Sequence, residues 1–269
     1  MSKLQFLEHI MIRKFKFLFI IVLAPLLATG QSNFSSMNII LKGTTIITSI
    51  TNDKIIIAAD SKQTWGGDSS QKDFKIPLKC KIRHIGNFFF AAEGHTTMIT
   101  PHIDFLELIE EMDFKASLTF SEKIDSIEFM LREPVKIFVE NFQRYNDKAF
   151  KAILNKVLLS ISFSCFENEK PVSEALFWEI KSTLTGWEII PTHAKSDLIP
   201  RYMIQGQKAA IDSYLTNPLL ANEIFDEKNI PKLIELQIKS TPLLVGLPID
   251  IVVLNSKGYN WIQKKEGCK

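Results

Sequence analysis

The sequence predicts an α+β domain built mostly from antiparallel strands. Short β-branched runs joined by tight-turn residues stand near the start and at the end of the chain. The elements follow the order strands, helices, strands, helices, strands. That order is not the strict alternation of a parallel doubly wound sheet. A hydrophobic share of 46% over 269 residues is ample for a core and excludes a disordered chain. This length permits one large domain or two small ones.

The first strands are predicted over 44–50 and 54–59, joined at Asn52-Asp53, because β-branched runs flanking a turn dipeptide make a hairpin. Strands at 81–85 and 87–92 follow. A helix is predicted over 95–112, with Ile99, Ile103, Leu106 and Ile109 on one face. A second helix covers 121–146 on Ile124, Ile127, Met130 and Leu131, with Glu133-Pro134 as its point of kinking or splitting. Strands return at 156–166 and 174–181 across the turn Glu167–Pro171, and a further short strand covers 185–190. A strand entering a helix fits 201–215, with Gly206 at the junction. The pattern closes with a helix over 228–240 and strands at 248–254 and 258–263. The last two meet at Asn255-Ser256-Lys257-Gly258, a hairpin signal.

A net charge of +2, with Lys and Arg scattered along the chain, gives no ground for nucleic acid or acidic lipid as a partner. The exception is Arg13-Lys14-Phe15-Lys16, which precedes the apolar run Phe17–Ala28. A basic start, a short apolar stretch and small residues at Ala28-Thr29-Gly30 read as a signal peptide over 1–30. The chain is therefore expected to be exported, periplasmic or secreted, with the membrane met only through that segment. An uncleaved N-terminal anchor is the rival reading. Residues 31–43 form a linker or propeptide, and 44–269 a single domain. The three cysteines, Cys80, Cys165 and Cys268, have no CxxC spacing, and one pair is compatible with an oxidising compartment. Cys165, in an apolar run, reads as a buried inert thiol. The histidines show no metal-ligand spacing, so no metal and no cofactor are expected.

The most informative stretch is Gly43-Thr44-Thr45-Ile46 through Ala59-Asp60-Ser61. A hairpin here brings Thr44 and Asp60 to the same sheet edge. Downstream stand Lys81-Ile82-Arg83-His84-Ile85 and Phe88–His95, which ends in a glycine turn at Gly94. On these residues the segment from Gly43 to about Glu111 resembles the N-terminal half of a proteasome β-type subunit, above all the bacterial proteasome-like threonine proteases. The spacing from Thr44 to Asp60 needs no gap against that family. The stretch before Lys81 needs an insertion in the Trp65–Lys79 region.

The resemblance implies the fold of the N-terminal-nucleophile hydrolases: a four-layer αββα sandwich of two antiparallel sheets flanked by helices. It also implies autoprocessing, in which cleavage between Gly43 and Thr44 frees the threonine amine as the base for its own hydroxyl. Thr44 is then the nucleophile, Lys81 the electrostatic partner and Asp60 the carboxylate that holds it. Gly94 supplies a backbone N–H to the oxyanion. Each has a plainer reading. Thr44 is then an ordinary strand residue, Asp60 and Lys81 a surface ion pair, and Gly94 a strand-to-helix turn. Lys79 rivals Lys81, being two residues earlier on the same strand face.

The chain also departs from the family. The family serine that supports the amine is missing from Ile204–Lys208, where Gln205 or Gln207 is the candidate to replace its hydrogen bond. The family Asp is missing from Ser240–Pro248, where Ser240 and Thr241 are the nearest hydroxyls. Two functions follow. One is a threonine-type peptidase or amidohydrolase acting on peptides or small amides through an acyl-enzyme. The other is a catalytically silent proteasome-like scaffold or binding module. A homo-oligomer is compatible with either.

Overall fold

The computed structural model describes residues 39–41, 43–62, 64–66, 80–98, 102–195, 201–216 and 226–268. The signal segment, most of the linker, Lys79 and the larger part of the Trp65–Lys79 insertion lie outside them. The strands are β1 Ile39–Leu41, β2 Thr45–Ile50, β3 Ile55–Asp60, β4 Thr64–Gly66, β5 Ile82–Ile85, β6 Phe88–Gly94, β7 Thr97–Met98 and β8 Ile103–Asp104. They continue with β9 Lys156–Glu167, β10 Lys170–Thr183, β11 Gly186–Lys195, β12 Arg201–Gly206, β13 Ile249–Asn255 and β14 Gly258–Gln263. The helices are α1 Phe105–Glu110, α2 Phe120–Tyr145, α3 Asp147–Ile153, α4 Ala209–Leu215 and α5 Ile230–Ser240.

Two five-stranded sheets carry the domain, in the orders β11-β10-β9-β6-β5 and β12-β2-β3-β13-β14. Every described pairing is antiparallel. Alternation along the strands explains the packing, since successive side chains face opposite sides. Ile46, Ile50, Ile55, Ile57 and Ala59 from one sheet join Ile82, Phe89 and Ala91 from the other in one buried cluster. The residues between them, Ile47, Ile56 and Ala58, face away and pack against Ile211, Ile230, Leu233 and Ile234 of α4 and α5. On the other sheet, Phe88, Phe90, Ala92, Leu159 and Ile161 pack with Ile124, Ile127, Leu131, Val135 and Phe138 of α2.

The helix-flanked four-layer αββα sandwich is corrected. Among the described residues the architecture is sheet-rich, with 42% strand against 30% helix and few helices. Among the described helices only α2, at 26 residues, is longer than 11. Part of the reason lies at 95–112, where one helix is expected. There Thr97–Met98 and Ile103–Asp104 pair as a small ribbon instead. Asp104 then caps α1 by accepting from the N–H groups of Leu106 at 3.0 Å and Glu107 at 3.3 Å, so only six residues remain helical. The chain also spends 156–195 on strands of 12, 14 and 10 residues.

Helix α2 keeps Pro134 in its interior without ending there. Its buried stripe runs from Phe120 to Phe142 on both sides of the proline and holds both halves to the sheet. Thr119 and Glu122 form a capping box at its start.

Candidate active site

Strands β2 and β3 run antiparallel with Ile46 opposite Ala59. Thr44 and Asp60 therefore emerge at the same end of the sheet. Thr44 is 8% exposed, Asp60 is fully buried and Lys81 is 5% exposed. These are not surface charges. Lys81 Nζ donates to Asp60 Oδ1 at 2.8 Å and to the carbonyl oxygen of Gly43 at 2.9 Å. That second acceptor is the carbonyl of the Gly43–Thr44 peptide.

A buried carboxylate is tolerated only when its lone pairs are occupied. Asp60 meets this fully. Its Oδ1 also accepts from Thr45 N–H at 2.9 Å. Its Oδ2 accepts from Lys62 N–H at 3.1 Å and Gly246 N–H at 3.0 Å. The carboxylate thus ties the start of β2, the loop after β3 and the loop before β13 to the ammonium of Lys81.

Thr44 is held from the other side. Gln207 N–H donates to Thr44 O at 2.7 Å, and Thr45 Oγ1 donates to Gln207 O at 2.6 Å. Gly206 makes this approach feasible. Its φ is +79°, and a Cβ there would stand 1.9 Å from Thr44 O, an overlap only glycine avoids. Gln207 thus acts on this segment through its main chain. The Gln205 side chain goes to Ser160 Oγ, where its amide donates, and not to Thr44.

Gly94 ends β6 with φ +95°, and a Cβ there would lie 2.4 Å from Leu158 O. The close passage of β9 is reason enough for this glycine. Glu93 beside it lies toward Gly206, 3.7 Å from where that residue's Cβ would be, so the end of β6 approaches the Thr44 side of β12. His95 is buried against Phe138 and Phe142 of α2.

Several partners of the site escape sequence reasoning. Gly246 closes onto Asp60 from 186 residues away. Asp250 is 1% exposed and accepts from Ser61 Oγ at 3.1 Å and from Lys265 N–H at 2.8 Å. A bridge joins Cys80 to Cys268. For Asp250 the available signal was an acidic residue inside the apolar strand Ile249-Asp250-Ile251-Val252. Among the described residues, no cluster of His, Cys, Asp and Glu is arranged to hold a metal ion, and no helix is long and apolar enough to cross a membrane.

No protein-family model matches the chain, and no curated protein matches it.

Proposed function

We propose that this chain is an N-terminal-threonine hydrolase that first cleaves itself between Gly43 and Thr44. The observation that carries the reading is the position of Lys81. Its ammonium contacts the carbonyl oxygen of the bond to be cut and is itself held by a buried carboxylate. An ammonium there stabilises the negative charge that develops on that oxygen.

Thr44 Oγ attacks the Gly43 carbonyl carbon and passes its proton to the departing nitrogen. The peptide C–N bond breaks, leaving an ester between Gly43 and the Thr44 side chain. Water hydrolyses the ester, giving a Gly43 carboxylate and a free Thr44 amine. In later turnovers that amine takes the hydroxyl proton as Thr44 Oγ attacks a substrate amide. The amine half of the substrate leaves, and water releases the acyl half. Lys81 beside the new amine favours its neutral form, because a second positive charge there is disfavoured. Gly94 is proposed to offer its N–H to the substrate oxyanion.

The Cys80–Cys268 bridge supports export, since such bonds persist in oxidising compartments. An exported enzyme of this type suits peptides and small amides. The N-terminal residue of protein recovered from its host is the test. A chain beginning at Thr44 is expected. A stable chain beginning at Gln31 sinks the reading and leaves the silent scaffold.

A further inference from the structure

The self-cleavage chemistry uses one lysine, yet the fold buries a second one nearby. Lys265 follows the last strand, and its side chain is only 5% exposed. Its N–H donates to Asp250 Oδ1 at 2.8 Å, and its Nζ lies 3.8 Å from Asp250 Oδ2. Asp250 also accepts from Ser61 Oγ. Ser61 N–H in turn donates to Gly246 O at 3.2 Å, and Gly246 N–H donates to Asp60. A continuous chain of bonds therefore runs from Lys265 through Asp250, Ser61, Gly246 and Asp60 to Lys81. Two carboxylates and two ammonium groups share one buried region.

A covalent link closes the same circuit. Cys80 directly precedes Lys81, and Cys268 stands three residues after Lys265. The bridge therefore binds the terminal segment to the root of the Lys81 side chain. Chain ends are ordinarily poorly ordered unless tied down. Here the tie serves both lysines at once.

We propose that Lys265, held in place by the Cys80–Cys268 bridge, is a positioning residue for the Thr44 centre: its positive charge adds to that of Lys81 and favours the oxyanion on the Gly43 carbonyl. The inference rests on the hydrolase reading. Lys265 does not touch the reacting atoms and acts through the bonded chain from Asp250 to Asp60 and through space.

The groups facing Lys265 set when it carries charge. Burial pushes its ammonium down to about 8. Asp250 on β13 and Asp60 on β3 oppose that shift, while Lys81 and Arg83 reinforce it. Lys265 is therefore charged below about pH 8 and loses its charge as pH rises through that value. An arginine in its place stays charged throughout.

The test measures the self-cleavage rate of the full chain from pH 6 to 10 in wild type, Lys265→Gln and Lys265→Arg. Wild type is expected to exceed Lys265→Gln by about tenfold at pH 7, and the ratio is expected to fall toward unity above pH 8. Lys265→Arg is expected to match wild type at pH 7 and to outpace it above pH 8. Cys80→Ser/Cys268→Ser should reproduce the loss seen in Lys265→Gln. A merely structural role would slow cleavage without this dependence on pH. Equal pH profiles for wild type and Lys265→Arg overturn the proposal without requiring Lys265→Gln to fold. A wild-type chain that never cuts at Gly43 defeats the hydrolase reading itself. Normal cutting with a pH-independent ratio defeats only the role of Lys265.

Discussion

The ammonium of Lys81 bridges Asp60 Oδ1 and the carbonyl oxygen of Gly43, at 2.8 and 2.9 Å. One buried cation thus ties the Asp60 carboxylate to the carbonyl of the Gly43–Thr44 peptide, the bond proposed for self-cleavage. Lys81→Ala is expected to slow self-cleavage by about 10²–10³-fold, the usual loss for one oxyanion donor. Thr44→Ala should abolish it. Intact mass against time in a freshly refolded chain distinguishes the two, provided both variants show wild-type circular dichroism.

Asp60→Asn keeps one acceptor oxygen but leaves the Lys81 ammonium without its carboxylate. Losing one partner of a buried pair costs about 3–5 kcal/mol. Urea denaturation of Asp60→Asn, set beside the isosteric Thr44→Val, should show that loss in the aspartate variant alone. Equal midpoints for the two would mean that the pair adds nothing to stability.

Two glycines with positive φ should respond unequally to alanine. At Gly206 a Cβ meets Thr44 O at 1.9 Å, whereas at Gly86, with φ +58°, nothing lies within 4 Å. Gly86→Ala should cost about 1–2 kcal/mol, the left-handed penalty alone. Gly206→Ala adds backbone overlap and should cost roughly 3 kcal/mol or more. It should also displace the Thr44 carbonyl and slow self-cleavage.

His193 on β11 bonds Glu174 through Nδ1 at 2.5 Å and Glu128 of α2 through Nε2 at 2.6 Å. Burial lowers its affinity for a proton, but hydrogen bonds to Glu128 and Glu174 outweigh this and raise its pKa above the usual value. A histidine raised in the folded state stabilises fully below its ordinary range. That stabilisation is lost as pH climbs through the raised value. Wild type should therefore lose its thermal advantage over His193→Gln on going from pH 6 to pH 8 or above. An advantage that grows with pH would contradict this.

Cys165 is buried, and burial pushes its thiol up to about 12. The folded chain should resist iodoacetamide at pH 8 and take up one label on unfolding in denaturant without reductant, because Cys80 and Cys268 are bonded. Rapid labelling of the folded state, read by mass spectrometry, would mean a far more accessible thiol.

Local pattern alone determined much of this protein. The β2–β3 hairpin, the long α2 helix, the β9–β10 pair and the terminal β13–β14 hairpin all follow from periodicity and turn residues acting over a few positions. The hairpin spacing was also enough to predict Thr44 and Asp60 at one edge. Three-dimensional packing decided the rest. The 95–112 segment reads as a helix because its apolar spacing is helical, yet pairing of Thr97–Met98 with Ile103–Asp104 and the Asp104 cap take most of it. The class is sheet-rich for the same kind of reason, since strand partners lie far along the chain. The partnership of Cys80 with Cys268, separated by 188 positions, and the bonds from Gly246 and Lys265 to the buried carboxylates carry no short-range signature. A side chain's periodicity reports which face it occupies. What meets that face is set by where distant strands come to rest.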